Sequence, residues 1–187
     1  LRYRQDQIKI NGWAVESRLY AEDPYRNFMP AVGRLSLYHP PADTTYTDGT
    51  LTRNDTGVSE GDVISIYYDP MIAKLCSWGL DRKSAINRMQ IALDSFTIRG
   101  NGHNIPFLSA VMENPRFLSG EISTAFIEDE YQIGFRGVTT DKLRQQHLGM
   151  IIAAANEAEA VRMQNSGFGT DEIPNSKIQS TIETKVV

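Results

Sequence analysis

The first part of the chain alternates between apolar and polar positions in the way that predicts a β-strand. Over residues 8–20 the strand has two different faces. The mainly apolar face carries Trp13, Val15, Ser17 and Leu19. The charged face carries Ala14, Glu16, Arg18 and Tyr20. Further strands are predicted at 34–38, 62–68 and 71–78. Residues 42–57 are rich in Thr, Asp and Gly, which predicts a mobile surface hairpin.

Later segments carry apolar residues at helical spacing. Ile86, Met89 and Leu93 predict a helix over 82–96 with one apolar face, and Asp81 is placed to cap its first turn. A short strand is predicted at 96–99, and further helices at 105–113, 123–130 and 142–163. Strands with helices packed against them predict an α+β fold, in which a mixed but antiparallel-leaning sheet is covered by helices.

The composition changes at Gly134–Thr140, which predicts a domain boundary there. Residues 1–134 are assigned to one domain, and residues 135–187 to a linker, a long helix and the start of a β-rich domain. Asp141 is the expected cap of that long helix. Its predicted apolar stripe consists of Leu143, Met150, Ile151, Ala154, Ala158 and Val161.

Charge and composition argue against several classes of protein. The net charge is −4 and no basic stripe is present, which argues against nucleic-acid binding. No apolar run reaches the roughly 18 residues that a membrane span needs. The single Cys76 and three scattered histidines have no metal-ligand spacing, so no metal site is predicted. The chain begins at Leu1 without Met, and we expect it to be a piece of a longer protein.

Two blocks of sequence resemble the biotin carboxylase family. Residues 66–75 read Ile-Tyr-Tyr-Asp-Pro-Met-Ile-Ala-Lys-Leu and follow Glu60-Gly61-Asp62, similar to that family's E-G-D…Y-Y-D-x-M-I-x-K-L stretch. Residues 13–24 are similar to its A-x-E-x-R-x-x-A-E-D-P block. Residues 102–108 and 123–127 resemble the acyl-CoA carboxylase branch, and most of all the propionyl-CoA carboxylase α subunits.

The resemblance covers about residues 1–133, which match the C-terminal subdomain of an ATP-grasp enzyme. It implies that the full protein carboxylates biotin with ATP and bicarbonate, using Mg or Mn. It also implies a carboxyltransferase β subunit and a biotinyl carrier domain as partners, and a location in the bacterial cytoplasm or the mitochondrial matrix. The family's phosphate loop, nucleotide-binding lysines and metal-binding carboxylates lie upstream of Leu1. We therefore expect this chain alone to be inactive.

Arg18 is the strongest candidate for a catalytic residue. The resemblance implies that it stabilises the negative charge that develops on the biotin ring, a task that suits the planar, permanently charged guanidinium. Glu16 is expected to orient Arg18, although a plain surface ion pair explains the two residues equally well. Asp69 is expected to support the wall of the site with Tyr68 packed beside it, although a turn aspartate and a core tyrosine explain the two residues equally well. The resemblance also implies that Arg53 contacts a partner subunit. It implies a weak nucleotide contact at Thr124.

Other functions remain open from the sequence. The chain is also compatible with an assembly module whose long helix docks partner subunits. Another ATP-grasp ligase, or an acetyl- or methylcrotonyl-CoA carboxylase, is a further alternative. The acyl-CoA is not fixed, because that choice is made on the carboxyltransferase.

Overall fold

The structure, a computed structural model, describes residues 2–65, 67–138 and 142–165. It divides the chain into two compact units, Leu1–Val138 and Thr139–Val187. In its described residues the first unit carries all the strands and the shorter helices, and the second carries one long helix. We describe each unit by itself.

The described residues contain ten strands and five α-helices. The strands are β1 (Trp13–Tyr20), β2 (Glu22–Asp23), β3 (Met29–Pro30), β4 (Gly33–Arg34), β5 (Leu37–His39), β6 (Thr44–Thr45), β7 (Leu51–Thr56), β8 (Val63–Ile64), β9 (Met71–Gly79) and β10 (Thr97–Arg99). The helices are α1 (Arg82–Ser95), α2 (Ile105–Glu113), α3 (Pro115–Ser119), α4 (Phe126–Glu130) and α5 (Lys142–Asn165).

The main sheet has four strands in the order β1-β9-β7-β6, and every described pair is antiparallel. Three two-stranded ladders join β10 to β5, β2 to β3, and β4 to β8. The predicted α+β class is therefore confirmed. The expected mixed character is not seen, since the described strands form no parallel pair.

The predicted alternation of β1 is borne out by its burial. Ser17 and Leu19 point into the core, while Glu16 and Arg18 are exposed on the opposite face. Helix α1 packs against β9 and β1 and covers the inner face of the sheet. The most deeply buried side chains there are Leu19, Ile72, Leu75, Ile86, Met89 and Leu93. The charged outer face of the sheet lies opposite this core.

Helix α1 begins and ends as its sequence predicts. The Asp81 side chain accepts a hydrogen bond from the Ser84 N–H at 2.8 Å, which satisfies one of the free N–H groups of the first turn. Helix α2 matches its predicted span. The predicted helix at 123–130 is shorter, since α4 starts at Phe126.

Residues 42–57 contain the predicted hairpin, in which β6 pairs antiparallel with β7, and most of its residues are exposed at the edge of the main sheet. Within this segment β7 lies between β9 and β6, and Thr52 is 1% exposed. The segment looks polar because hydroxyl and charged residues dominate it. Its buried end is satisfied by Arg88 of α1, which donates to the Thr50 hydroxyl and pairs with Asp48.

Three other predicted strands are shorter than expected. Strand β1 starts at Trp13 and not at residue 8, because Gly12 turns the backbone into the left-handed region at φ +69°. A bend splits residues 34–38 between β4 and β5, and only Val63–Ile64 of the predicted 62–68 strand pairs. The predicted strand at 71–78 is confirmed as β9.

The second unit contains the predicted long helix as α5. In its predicted stripe Leu143, Met150 and Ile151 are more than 60% exposed, and Val161 is 50% exposed. Asp141, the expected cap, and the β-prone residues 178–187 lie outside the described residues. No helix among the described residues has the length and apolar character to cross a membrane. The division into domains at residue 134 stays a prediction.

Candidate functional site

The candidate site lies on the outer face of the sheet, near the end of β1. Arg18 projects from this face, and its Nε lies 3.4 Å from Glu16 Oε1, two residues earlier on the same strand. The side chains of Arg18 and Glu16 are 57% and 46% exposed. A long, half-exposed pair of this kind adds little stability, so it leaves the guanidinium free to bind a ligand.

The charges around Arg18 favour an anion. A hydrogen bond with Tyr20 and then one with Glu16 raise the pKa of Arg18, which therefore stays a cation throughout the physiological range. Lys74 is the cross-strand partner of Arg18 on β9, and directly paired residues share one face of a sheet. Each cation already has one negative neighbour, Glu16 beside Arg18 and Asp55 as the partner of Lys74 on β7. Surface pairs of this kind are weak, so the two cations remain suited to a carboxylate or a developing oxyanion.

The Asp69-Pro70 corner is fixed against the same end of β1. The Ala21 N–H donates to the Pro70 carbonyl at 2.8 Å, just after the last residue of the strand. Tyr68 and Asp69 are exposed at this corner, Tyr68 by 82%. The structure thus brings the corner and β1 together, as the two sequence blocks imply, and Tyr68 is not the core tyrosine that a plain structural role would need.

Glu22 belongs to this site, although the sequence argument did not single it out. Partial burial raises the pKa of Glu22, and the negative charge of nearby Asp69 raises it further. Carboxyl groups with raised pKa values are suited to hold a proton near a reacting group. The signal was present in the sequence, because Glu22 is the glutamate of the A-E-D-P block.

Arg53 lies on β7, across β9 from β1. It pairs with Asp55 at 2.9 Å, and its Nη2 lies 3.9 Å from Cys76 Sγ. The Cys76 thiol in turn lies 3.9 Å from Glu16 Oε2, so a weak chain of polar contacts crosses the three strands. Burial is the main cause that raises the pKa of Cys76. Arg53 is therefore linked to the site through Cys76 and Glu16 and not by direct contact with Arg18.

Thr124 is exposed in the turn before α4, and its weak nucleotide contact stays a prediction. His103 sits just before α2, where burial lowers the pKa of its imidazole and Nδ1 has no hydrogen-bond partner. The described residues contain no group of three or more histidine, cysteine or acidic side chains placed to hold a metal ion.

Residues 16–129 match the family described as the biotin carboxylase C-terminal domain. The chain belongs to this family. The matched span begins at Glu16 and includes Arg18, Glu22 and the Asp69 corner, so every part of the candidate site lies inside it.

The chain is also similar to larger enzymes. It is 48% identical over 176 residues to the propionyl-CoA carboxylase α chain of Ruegeria pomeroyi, a match that covers 87% of this chain and 26% of that one. It is 47% identical over 166 residues to the mitochondrial propionyl-CoA carboxylase α chain of Homo sapiens, covering 88% and 22%. The chain thus spans about a quarter of the length of these relatives.

A solved structure supports the same fold. The biotin carboxylase domain of a thermophilic 2-oxoglutarate carboxylase bound to bicarbonate superimposes with a TM-score of 0.64 and 35% identity. The match covers 70% of this chain and 28% of that one. The resemblance to biotin carboxylases, including its nearness to the propionyl-CoA carboxylase α chains, is therefore confirmed.

Proposed function

We propose that this chain is the C-terminal part of the biotin carboxylase of a propionyl-CoA carboxylase α chain. The observation that carries the proposal is the position of Arg18 on the open face of β1, beside the Asp69 corner. The proposal is also supported by 48% identity to a propionyl-CoA carboxylase α chain over 176 residues. In the full-length protein, ATP and bicarbonate are used to carboxylate biotin.

Arg18 fits the role of binding the ureido group of biotin. When bound, biotin supplies a ring nitrogen that accepts the carboxyl group. Arg18 would present a planar fork of N–H donors to the ureido carbonyl oxygen of bound biotin and would stabilise negative charge on that oxygen. Lys74 adds a second positive charge on the same face. Glu22 and Asp69 form a carboxyl pair at the edge of the site, and Glu22 is the member that is suited to hold a proton.

ATP and Mg or Mn are assigned to other parts of the longer chain. The described residues of this chain form no acidic group that would hold such a metal ion. We expect this chain by itself to be inactive, since in the family the phosphate loop and the metal-binding carboxylates belong to other parts of the enzyme. The partners proposed for the full protein are its own biotinyl carrier domain and a carboxyltransferase β subunit. The proposed location is the bacterial cytoplasm or the mitochondrial matrix.

Replacing Arg18 in the full-length enzyme tests this proposal. Arg18→Ala removes one preorganised donor to a developing oxyanion, which typically costs about 3–4 kcal/mol, and is expected to lower biotin carboxylation about 10²-fold or more. The KM for ATP is expected to stay nearly unchanged. Arg18→Lys is also expected to be poor, because a point charge on a flexible stem does not reproduce the planar fork.

Arg4→Ala is the matched control for this experiment. Arg4 is likewise an exposed arginine that pairs with a carboxylate two residues away, Asp6, and it lies outside the proposed site. It is expected to leave turnover unchanged. Near-normal turnover of Arg18→Ala, or loss of activity through unfolding, would favour the plain ion-pair interpretation of Arg18 and Glu16.

A further inference from the structure

The C-terminal end of β1 is hydrogen-bonded to a side chain from a distant part of the sequence. The Asn104 side chain accepts a hydrogen bond from the Tyr20 N–H at 2.9 Å and donates one to the Arg18 carbonyl at 3.1 Å. The Asn104 backbone N–H also donates to the Tyr20 carbonyl at 3.2 Å. These partners lie 84 and 86 residues earlier in the chain, and Asn104 is only 5% exposed.

Asn104 occupies a position where a different role is expected. It is the N-cap residue of α2, where an asparagine oxygen ordinarily accepts from an N–H of the first helical turn. In this structure the side chain makes no such bond. Both halves of its amide are instead directed at β1, where they act like the peptide group of a neighbouring strand, with one donor and one acceptor.

The place that Asn104 holds is one where the sheet itself holds β1 weakly. Strand β1 is at the edge of the main sheet, so its outer backbone groups have no strand beside them. On the other side, the register with β9 shifts between Leu19 and Tyr20, since Leu19 faces Ala73 and Tyr20 faces Met71. The ladder is therefore irregular between Leu19 and Tyr20. Asn104 bonds the backbone groups of β1 on either side of this irregularity, on the edge where the strand has no partner.

Asn104 itself sits in a tightly packed loop. Asn101 donates to the Gly33 carbonyl at 3.0 Å, and the Ser36 N–H donates to the Arg99 carbonyl at 2.9 Å. At Gly100 the backbone has φ +102°, and an added Cβ would lie 2.1 Å from the Arg34 carbonyl oxygen. The loop is thus fixed on both sides of Gly100, so it forms a rigid support for the Asn104 side chain.

We propose that Asn104 is a positioning residue for Arg18, an inference that rests on the proposed function. The Glu16 pair is too long and too exposed to fix the guanidinium, so the aim of Arg18 depends on its backbone. Asn104 fixes that backbone at the Arg18 carbonyl and again at the N–H and carbonyl of Tyr20. Small displacements of a catalytic group lower the rate strongly, by about 10²-fold for 1 Å.

The test uses the full-length enzyme with free biotin as the probe, and measures bicarbonate-dependent ADP release. Asn104→Asp keeps the acceptor for the Tyr20 N–H but loses the donor to the Arg18 carbonyl. We expect kcat/KM for biotin to fall about tenfold, with the KM for ATP changed by less than about twofold. Asn114→Asp is the matched control, because Asn114 is also an N-cap asparagine and the change keeps its acceptor but removes its amide donor to Glu130, away from β1. It is expected to leave both constants unchanged.

A double-mutant cycle with Arg18→Ala separates positioning from a merely structural role. If Asn104 acts through Arg18, Asn104→Asp has little further effect in the Arg18→Ala background. Independent, multiplying effects would overturn the proposal, as would equal losses in Asn104→Asp and Asn114→Asp. Should Asn104→Asp fail to fold, Asn104→Ser enters the same cycle, because it keeps the backbone bond to Tyr20.

Different results would refute the proposed function of Arg18 and the positioning role of Asn104. If Arg18→Ala is impaired while Asn104→Asp is fully active, the positioning role is wrong and the proposed function stands. If Arg18→Ala itself turns over normally, the proposed function is wrong, and the positioning role is refuted with it.

Discussion

Arg88 is expected to be a large single contributor to the stability of the first unit. Its side chain reaches from α1 to the turn before β7 and makes three contacts there. Its Nε donates to the Thr50 hydroxyl at 2.7 Å, its Nη2 pairs with Asp48 at 2.8 Å, and its guanidinium lies 3.7 Å from the centre of the Tyr46 ring. Arg88 is 7% exposed, so its bond to Thr50 and its ring contact are shielded from water, whereas the Asp48 side chain is 55% exposed and its ion pair is only partly shielded.

The size of the effect follows from these contacts. A buried hydrogen bond from a charged donor contributes about 1.5–3 kcal/mol, and a desolvated cation–π contact about 1–2 kcal/mol. Packing of the aliphatic stem adds about 1 kcal/mol more. We expect Arg88→Ala to lower the free energy of unfolding by about 4 kcal/mol. Arg88→Met keeps the stem and is expected to lower it by about 3 kcal/mol.

The assay is urea unfolding followed by tryptophan fluorescence. Both tryptophans of the chain, Trp13 and Trp78, lie on paired strands of the main sheet, so the signal reports on the first unit alone. Lys83→Ala is the control, since it removes an exposed cation from the same helix. A value for Arg88→Ala within about 1 kcal/mol of this control would refute the reasoning. Full stability of Arg88→Met would show that the charged head contributes nothing.

Three further predictions concern acid stability, exchange and activity. Hydrogen bonds from Thr50 and then the charge of Arg88 lower the pKa of Asp48 from 3.8 to about 2. The contribution of ionised Asp48 to stability is therefore complete above pH 3.8 and lost as the pH falls toward 2. The difference in unfolding free energy between wild type and Asp48→Asn should close over that range. A difference that stays constant would contradict the lowered pKa. Amides of Met150 and Ile151 in α5 are expected to exchange faster than that of Leu75, measured by hydrogen exchange, and equal protection would contradict a separate second unit. This chain alone is expected to show no bicarbonate-dependent ATP cleavage in an ADP-release assay, and measurable cleavage would overturn the assignment of ATP binding to other parts of the protein.

Local patterns predicted the parts of the fold that local forces determine. The alternation in β1, the helical spacing in α1 and the Asp81 cap all depend on neighbours within a few residues, and the structure contains each of them. Helix α3 was missed because Pro115 signals the end of α2. The Asn114 side chain nevertheless accepts bonds from the Arg116 and Phe117 N–H groups and starts a new helix at once.

Contacts between distant residues set the limit of the sequence argument. Arg88 looked like a polar position on a helix, and its burial depends on Asp48 and Thr50, about 40 residues away. Asn104 carries the local pattern of a helix cap, yet its partners are in β1. The position of Arg18 was predicted only because a family motif contains it, since strand alternation places many charged residues on exposed faces.

The strand order has a consequence for how the site forms during synthesis. Strand β1 is made before its partner strand β9. The residue that pairs with Trp13 is Gly79, which is added about 66 residues later. At ribosomal rates of about 5–20 residues per second, β1 waits about 3–13 s for that partner. Its edge remains without the Asn104 bonds until a further 25 residues or so have been added. The arginine on which the proposed chemistry depends is thus synthesised among the first residues of this chain, and the contacts that fix it are among the later ones to be completed.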